Sequence, residues 1–182
     1  MRLIQTLLFT AGVLLISSAA VATEPLTDSR VTLKNNVLQF QGAPGFSLQV
    51  PAGTQFIKRS APASQVAALR APDGVVIEAS VAKVGSTLKL ANAGLRYFDV
   101  LRRVVGKEHR FVLHQPVTLP DSRTGYRSDI EWVLTRPNQA PIRLHSTVIS
   151  VIKDGTWVFI AVHPQGRSQR YIDVATSIRL TK

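Results

Sequence analysis

Two consecutive segments near the end of the chain constrain the fold more than anything else in the sequence, because they are apolar on both sides. Residues 142–152 place Leu144, Val148 and Ile152 on one side and Ile149 and Val151 on the other; residues 156–163 place Val158, Ile160 and Val162 opposite Trp157 and Phe159. Side chains alternate between faces along a strand, so a sheet built from such strands must be covered above and below. A third strand is expected at 126–135. The connections are short: 136–141 is rich in turn formers, and Lys153-Asp154-Gly155 reads as a three-residue hairpin loop with Gly155 left-handed.

Upstream, the alternation of Phe46-Ser47-Leu48-Gln49-Val50 ends at Pro51, as a half-buried strand does, with Val37-Leu38-Gln39-Phe40 before it and a Gly42-Ala43-Pro44-Gly45 turn between. Residues 65–70 and 75–84 form a hairpin around Ala71-Pro72-Asp73-Gly74. The period then changes. Leu88, Ala91, Leu95, Phe98, Leu101 and Val105 recur at three- and four-residue steps, the stripe of a helix with Ser86 as N-cap and Gly106 as stop. After residues 111–113 and a Pro-bounded loop at 116–120 come the three long strands. A closing helix is expected from Ser168 to about Ile178, with Tyr171, Ile172, Ala175 and Ile178 on one face. The expected class is α+β, a largely antiparallel sheet with helices packed on both faces.

Met1-Arg2 followed by an uncharged run to Ala22, closing in Ala20-Val21-Ala22, has the layout of a signal peptide cleaved before Thr23. The alternative, an uncleaved membrane anchor, suits the Ser- and Ala-rich end less well. The expected organisation is a signal peptide at 1–22, a flexible segment at 23–36 and a single domain at 37–182, with no transmembrane segment after cleavage and a periplasmic or secreted location. The sequence contains no cysteine, which excludes disulfides, a lipidated cysteine and thiol catalysis. Loss of the leader removes one arginine and no acid, lowering the formal charge from +11 to +10. A basic surface favours anionic partners, here an acidic envelope protein or an anionic lipid or glycan. Export removes access to nucleic acid, so no nucleic-acid partner is expected.

Motifs for chemistry are sparse. No Gly-x-Ser-x-Gly elbow or close His pair is present, and no catalytic residue or cofactor is assigned. Arg96, Arg102, Arg103 and Lys107 on the central helix form a candidate anion-binding face, since guanidinium forks match phosphate and carboxylate; a solubilising helix surface is the ordinary meaning of such charges. Asp129 and Glu131 share one face of their strand. If the Lys153-Asp154-Gly155 loop has three residues, His145 faces His163, and an even register across the preceding loop adds Asp129 and Glu131. That cluster is a polar rim or a transition-metal site. A two-residue Asp154-Gly155 turn would shift the register by one and turn His145 away.

The order of elements, with Gly45-Phe46-Ser47-Leu48-Gln49-Val50-Pro51 at the start, a central helix, long strands around Lys153-Asp154-Gly155 and a last helix ending Ser177-Ile178-Arg179-Leu180, resembles the PsbP-like group. That group includes the extrinsic photosystem II subunit and bacterial periplasmic DcrB-type proteins. The resemblance spans residues 37–180 and implies a PsbP-like α/β/α sandwich. It also implies a non-enzymatic accessory or binding role, as for most members of the group. DcrB-type proteins carry a lipidated cysteine, absent here, and no functional residue is carried over. The resulting expectation is a non-enzymatic extracytoplasmic binding protein; an immunity-type protein that neutralises a secreted toxic effector, and an unrecognised envelope enzyme, are the alternatives.

Overall fold

The structure is a computed structural model and describes residues 29–57, 64–85, 88–105, 109–134 and 140–181, with side chains described except at 100–105 and 134. The expected leader, Ser86, Gly106 and Lys107 lie outside these residues.

The three strands anticipated from their apolar runs form the middle and one flank of a seven-stranded antiparallel sheet. In chain order its members are β4 (Gln55–Phe56), β5 (Gln65–Arg70), β6 (Val76–Lys83), β7 (His109–Thr118), β8 (Thr124–Leu134), β9 (Ile142–Lys153) and β10 (Thr156–His163), laid out β4-β5-β6-β10-β9-β8-β7. Residues 144–151 of β9 are all buried, as two-sided cover requires. A second antiparallel sheet has the order β1-β2-β3-β11, built from β1 (Val31–Lys34), β2 (Val37–Phe40), β3 (Gly45–Gln49) and β11 (Arg179–Thr181). The helices are α1 (Leu90–Val105) and α2 (Gln169–Thr176).

Three elements depart from the sequence reading. The segment expected to be loose contains β1, because Asn35 and Asn36, with φ of 51° and 61°, turn the chain back onto β2; asparagine tolerates this left-handed region. Strand β7 runs through Pro116, where a loop is expected; it is the sheet's edge, and an edge strand tolerates a residue with no N–H. Finally, α2 stops at Thr176 with Ser177 as C-cap, and residues 179–181 pair with β3 instead of extending the helix.

Two hydrophobic clusters occupy the two faces of the large sheet. Ala93, Tyr97 and Phe98 of α1 pack with Ile130, Trp132, Leu144, Val148, Trp157 and Ala161. The opposite-parity residues Ile149, Val151, Val158, Ile160 and Val162 pack with Tyr171, Val174 and Ala175 of α2 and with Leu38, Phe46 and Leu48 of the small sheet. The architecture is thus more strand-rich than a single sheet between helical layers, because a second sheet shares one of the clusters.

Gly94 sets the depth at which α1 lies on the large sheet. A Cβ there would sit 2.1 Å from Ser128 Oγ. Beside it, His114 bridges strand to helix, with Nδ1 2.9 Å from Ser128 Oγ and Nε2 2.8 Å from the Ala91 carbonyl oxygen. A bulge at Val112 brings His114 onto the same face as Phe111 by inserting one residue in β7.

Candidate functional site

The site is decided by the β9–β10 hairpin. Asp154 and Gly155 have φ of 49° and 66°, and Lys153 pairs directly with Thr156. This is a two-residue turn of the primed kind, whose twist matches that of the strands it joins. It shifts the pairing by one residue from the three-residue reading, and a one-residue shift turns a side chain to the other face. Val162 therefore pairs with Thr147, and His145 and His163 point to opposite sides of the sheet. The expected four-residue cluster of His145, His163, Asp129 and Glu131 divides into two.

His163 joins a buried network on the α1 side. Its Nδ1 lies 2.8 Å from Ser146 Oγ, which accepts from Trp132 Nε1 at 2.9 Å. Its Nε2 lies 3.4 Å from Tyr97 Oη and 3.5 Å from Glu78 Oε2. Ser146, His163 and Glu78 follow the order of a hydrolytic triad, but Ser146 is wholly buried and its oxygen already engaged. Their arrangement ties α1 to β6, β9 and β10.

The other three residues remain together, as the even β8–β9 register requires: Glu131 pairs with His145 and Asp129 with Thr147. Asp129 is enclosed. Its Oδ1 accepts from Arg127 Nε and Thr147 Oγ1, each at 2.9 Å, and its Oδ2 pairs with Arg127 Nη2. Burial pushes this carboxyl up, but the facing His145, the Arg127 guanidinium and Thr147 outweigh it and hold the group well below the usual carboxylate range. Glu131 accepts from Arg110 Nε at 2.8 Å and Nη2 at 2.7 Å, both on Oε2; this bond is the main cause of its lowered pKa.

His145 lies between these two acids with 1% exposure, Nε2 3.7 Å from Asp129 Oδ2 and Nδ1 3.8 Å from Glu131 Oε1. Both separations exceed hydrogen-bond length, and neither ring nitrogen has a hydrogen-bond partner. Opposite edges of the ring face the two carboxylates, so a metal ion on one nitrogen would be turned away from the acid facing the other. Among the described residues no group of three His, Asp or Glu is placed to hold a metal.

Next to this trio opens a cleft of about 390 Å³ lined by His109, Arg110, Glu131, Val133, Arg143 and His145, with Trp132, Leu144 and Gly166 completing its wall. Arg110 and Arg143 are exposed at its rim. Arg143 acts electrostatically on Glu131 but forms no ion pair among the described residues. Sequence reasoning missed both arginines as site residues. Arg143 was within reach of it, since it lies two residues from His145 on the same face of one strand. Arg110 requires the β7–β8 register, which the bulge at Val112 shifts by one residue after the turn has set it.

Of the arginine-rich helix face, Arg96 is exposed on α1. Arg102 and Arg103 lie in α1 where side chains are not described, and Lys107 lies outside the described residues.

No family model and no curated protein sequence matches the chain. Solved structures do resemble it. Cyanobacterial PsbP (CyanoP) from Synechocystis sp. PCC 6803 aligns with a TM-score of 0.58 and 10% identity over 80% of this chain and 93% of that one. The Saccharomyces cerevisiae Ran-binding protein Mog1p aligns with a TM-score of 0.50 and 13% identity over 67% of this chain and 72% of that one. The fold is PsbP-like.

Proposed function

We propose that this chain is a non-enzymatic, extracytoplasmic binding protein that engages an acidic protein or an anionic component of the cell envelope through the cleft at the β7–β8–β9 end of its large sheet. The observation that carries this reading is the lining of the cleft. Among the described residues, two arginines and two histidines line the cleft around one carboxylate, Glu131, which Arg110 already neutralises, so Arg143 offers a positive charge with no described counter-ion. The formal charge of +10 left after loss of residues 1–22 adds long-range attraction of the same sign.

Periplasmic or secreted location follows from the leader-like first 22 residues, and no helix among the described residues is long and apolar enough to cross a membrane. Mass analysis of the exported protein should find Thr23 at its N-terminus; retention of residues 1–22 would overturn the location. Binding to anionic vesicles or acidic beads should be strong at low salt and weaken as salt rises, and the double variant Arg110→Gln/Arg143→Gln should retain less than a tenth of it. Salt-independent binding, or a double variant that binds as well as the parent, counts against the cleft.

A further inference from the structure

Three features of the cleft define a ligand more narrowly than negative charge does. Arg143 offers a guanidinium that no carboxylate among the described residues pairs with, and such forks donate to oxyanions. Glu131 has engaged only one of its oxygens: Oε2 takes both Arg110 donors, while Oε1 makes no hydrogen bond and faces His145 Nδ1 at 3.8 Å. His145 is 1% exposed, lines the cleft and, among the described residues, has no hydrogen-bond partner at either ring nitrogen, its Nδ1 edge facing the Glu131 carboxylate from within.

A carboxylate or a sulfate satisfies the first feature and conflicts with the second, because neither keeps a proton near neutral pH that Glu131 Oε1 can accept. Hydrogen phosphate satisfies both. Its unprotonated oxygens accept from Arg143 and Arg110, and its O–H donates to Oε1. A phosphate monoester has the same capacity at pH values near its second pKa, about 6. The cleft volume of about 390 Å³ is ample for such a group with part of the molecule that carries it.

We propose that this cleft is a subsite for a proton-bearing phosphate group, either free phosphate or the terminal group of a monoester. The proposal rests on the anion-binding reading above and names its ligand class. Calorimetric titration of the full-length exported protein at pH 6 and low salt, with inorganic phosphate and with sulfate as the isosteric control, tests it. Phosphate should bind at least about tenfold more tightly than sulfate, a difference of about 1.4 kcal/mol. Arg143→Gln, at an exposed position, should weaken phosphate binding by about the same factor without changing the circular dichroism spectrum. Glu131→Gln should narrow the phosphate-to-sulfate ratio toward one while sulfate still binds.

Vesicles containing phosphatidic acid, compared with phosphatidylglycerol vesicles and with soluble glycerol phosphate, distinguish the source. Preference for phosphatidic acid vesicles assigns the group to a lipid, and preference for glycerol phosphate to a soluble ligand. Equal affinity for phosphate and sulfate, or no heat with phosphate, overturns the proposal. If an acidic polypeptide such as polyglutamate then still binds in a salt-dependent, Arg143-dependent manner, only the phosphate assignment falls; if it does not, the anion-binding reading falls with it.

Discussion

Replacing Asp129 by Asn isolates the most enclosed charge on the site face. Asp129 is 1% exposed, and Arg127, which it pairs through both nitrogens, has a side chain only 13% exposed. Asn keeps the shape and one acceptor for Thr147 but leaves the Arg127 guanidinium without a counter-charge. Removing one member of a buried pair costs about 3–5 kcal/mol, and for a domain of this size each kcal/mol lowers Tm by about 2–4 °C. The variant should therefore unfold roughly 6–20 °C below the parent at pH 7. Acid should erase the difference. The folded carboxyl titrates below its unfolded value of about 4, so its stabilisation is complete above that value and is lost as pH falls through the folded pKa. Urea unfolding of parent and variant at pH 7 and at successively lower pH is the assay. A loss below about 1 kcal/mol at neutral pH, or a gap that does not shrink on acidification, refutes the reasoning. The double variant Arg127→Met/Asp129→Leu should recover most of the loss, since hydrophobic replacement of a whole buried pair is often nearly neutral.

Gly94→Ala gains about 1 kcal/mol of helix propensity, but its Cβ would meet Ser128 Oγ at 2.1 Å, so a net destabilisation of about 1–3 kcal/mol is expected in urea unfolding, with Gly94→Ala/Ser128→Ala recovering part of it. Gly155→Val places a β-branched residue at φ 66° and should cost about 1–3 kcal/mol by the same assay, whereas Asp154→Gly should change stability by only a few tenths. Burial and its bond to Asp73 push the Tyr171 phenol up; in an ultraviolet titration, the phenolate step above the ordinary tyrosine range should vanish in Tyr171→Phe.

The large sheet was legible in the sequence because its central strands carry two apolar faces, a pattern that few other arrangements bury. The helix α1 was legible from its period, but its buried face was not: of the expected stripe Phe98 packs on the sheet, Leu95 is 38% exposed, and Ala93 and Tyr97, outside that stripe, make the contact. Strands β1 and β11 were not legible. Each is only three or four residues long, too short for alternation to stand out, and each owes its existence to a partner far away in sequence or to an Asn-Asn turn. Residues 179–181 carry a single apolar side chain, Leu180, whose pairing opposite Phe46 of β3 only the folded chain provides.

The composition of the site turned on a single residue of register. Both Lys153-Asp154-Gly155 as a three-residue loop and Asp154-Gly155 as a two-residue turn leave the flanking strands well patterned, because β9 and β10 are apolar on both faces and a one-residue slip exposes nothing. Alternation fixes register where one face is wet, and here neither is. What selects the shorter turn is local: Asp and Gly both enter the left-handed region at low cost, and the resulting twist suits the strands. A second selection acts at the other end of the hairpin. In the observed register Ser146 meets His163 and satisfies it in the interior, while His145, which the β8–β9 register holds beside Asp129 and Glu131, has no second imidazole on its face. The slipped register would bring two imidazoles face to face and take His163 away from Ser146, whose bond to Trp132 belongs to the separate β8–β9 register. The buried polar residues therefore supply the register information that the apolar ones lack, and they keep the two histidines on opposite faces of the sheet.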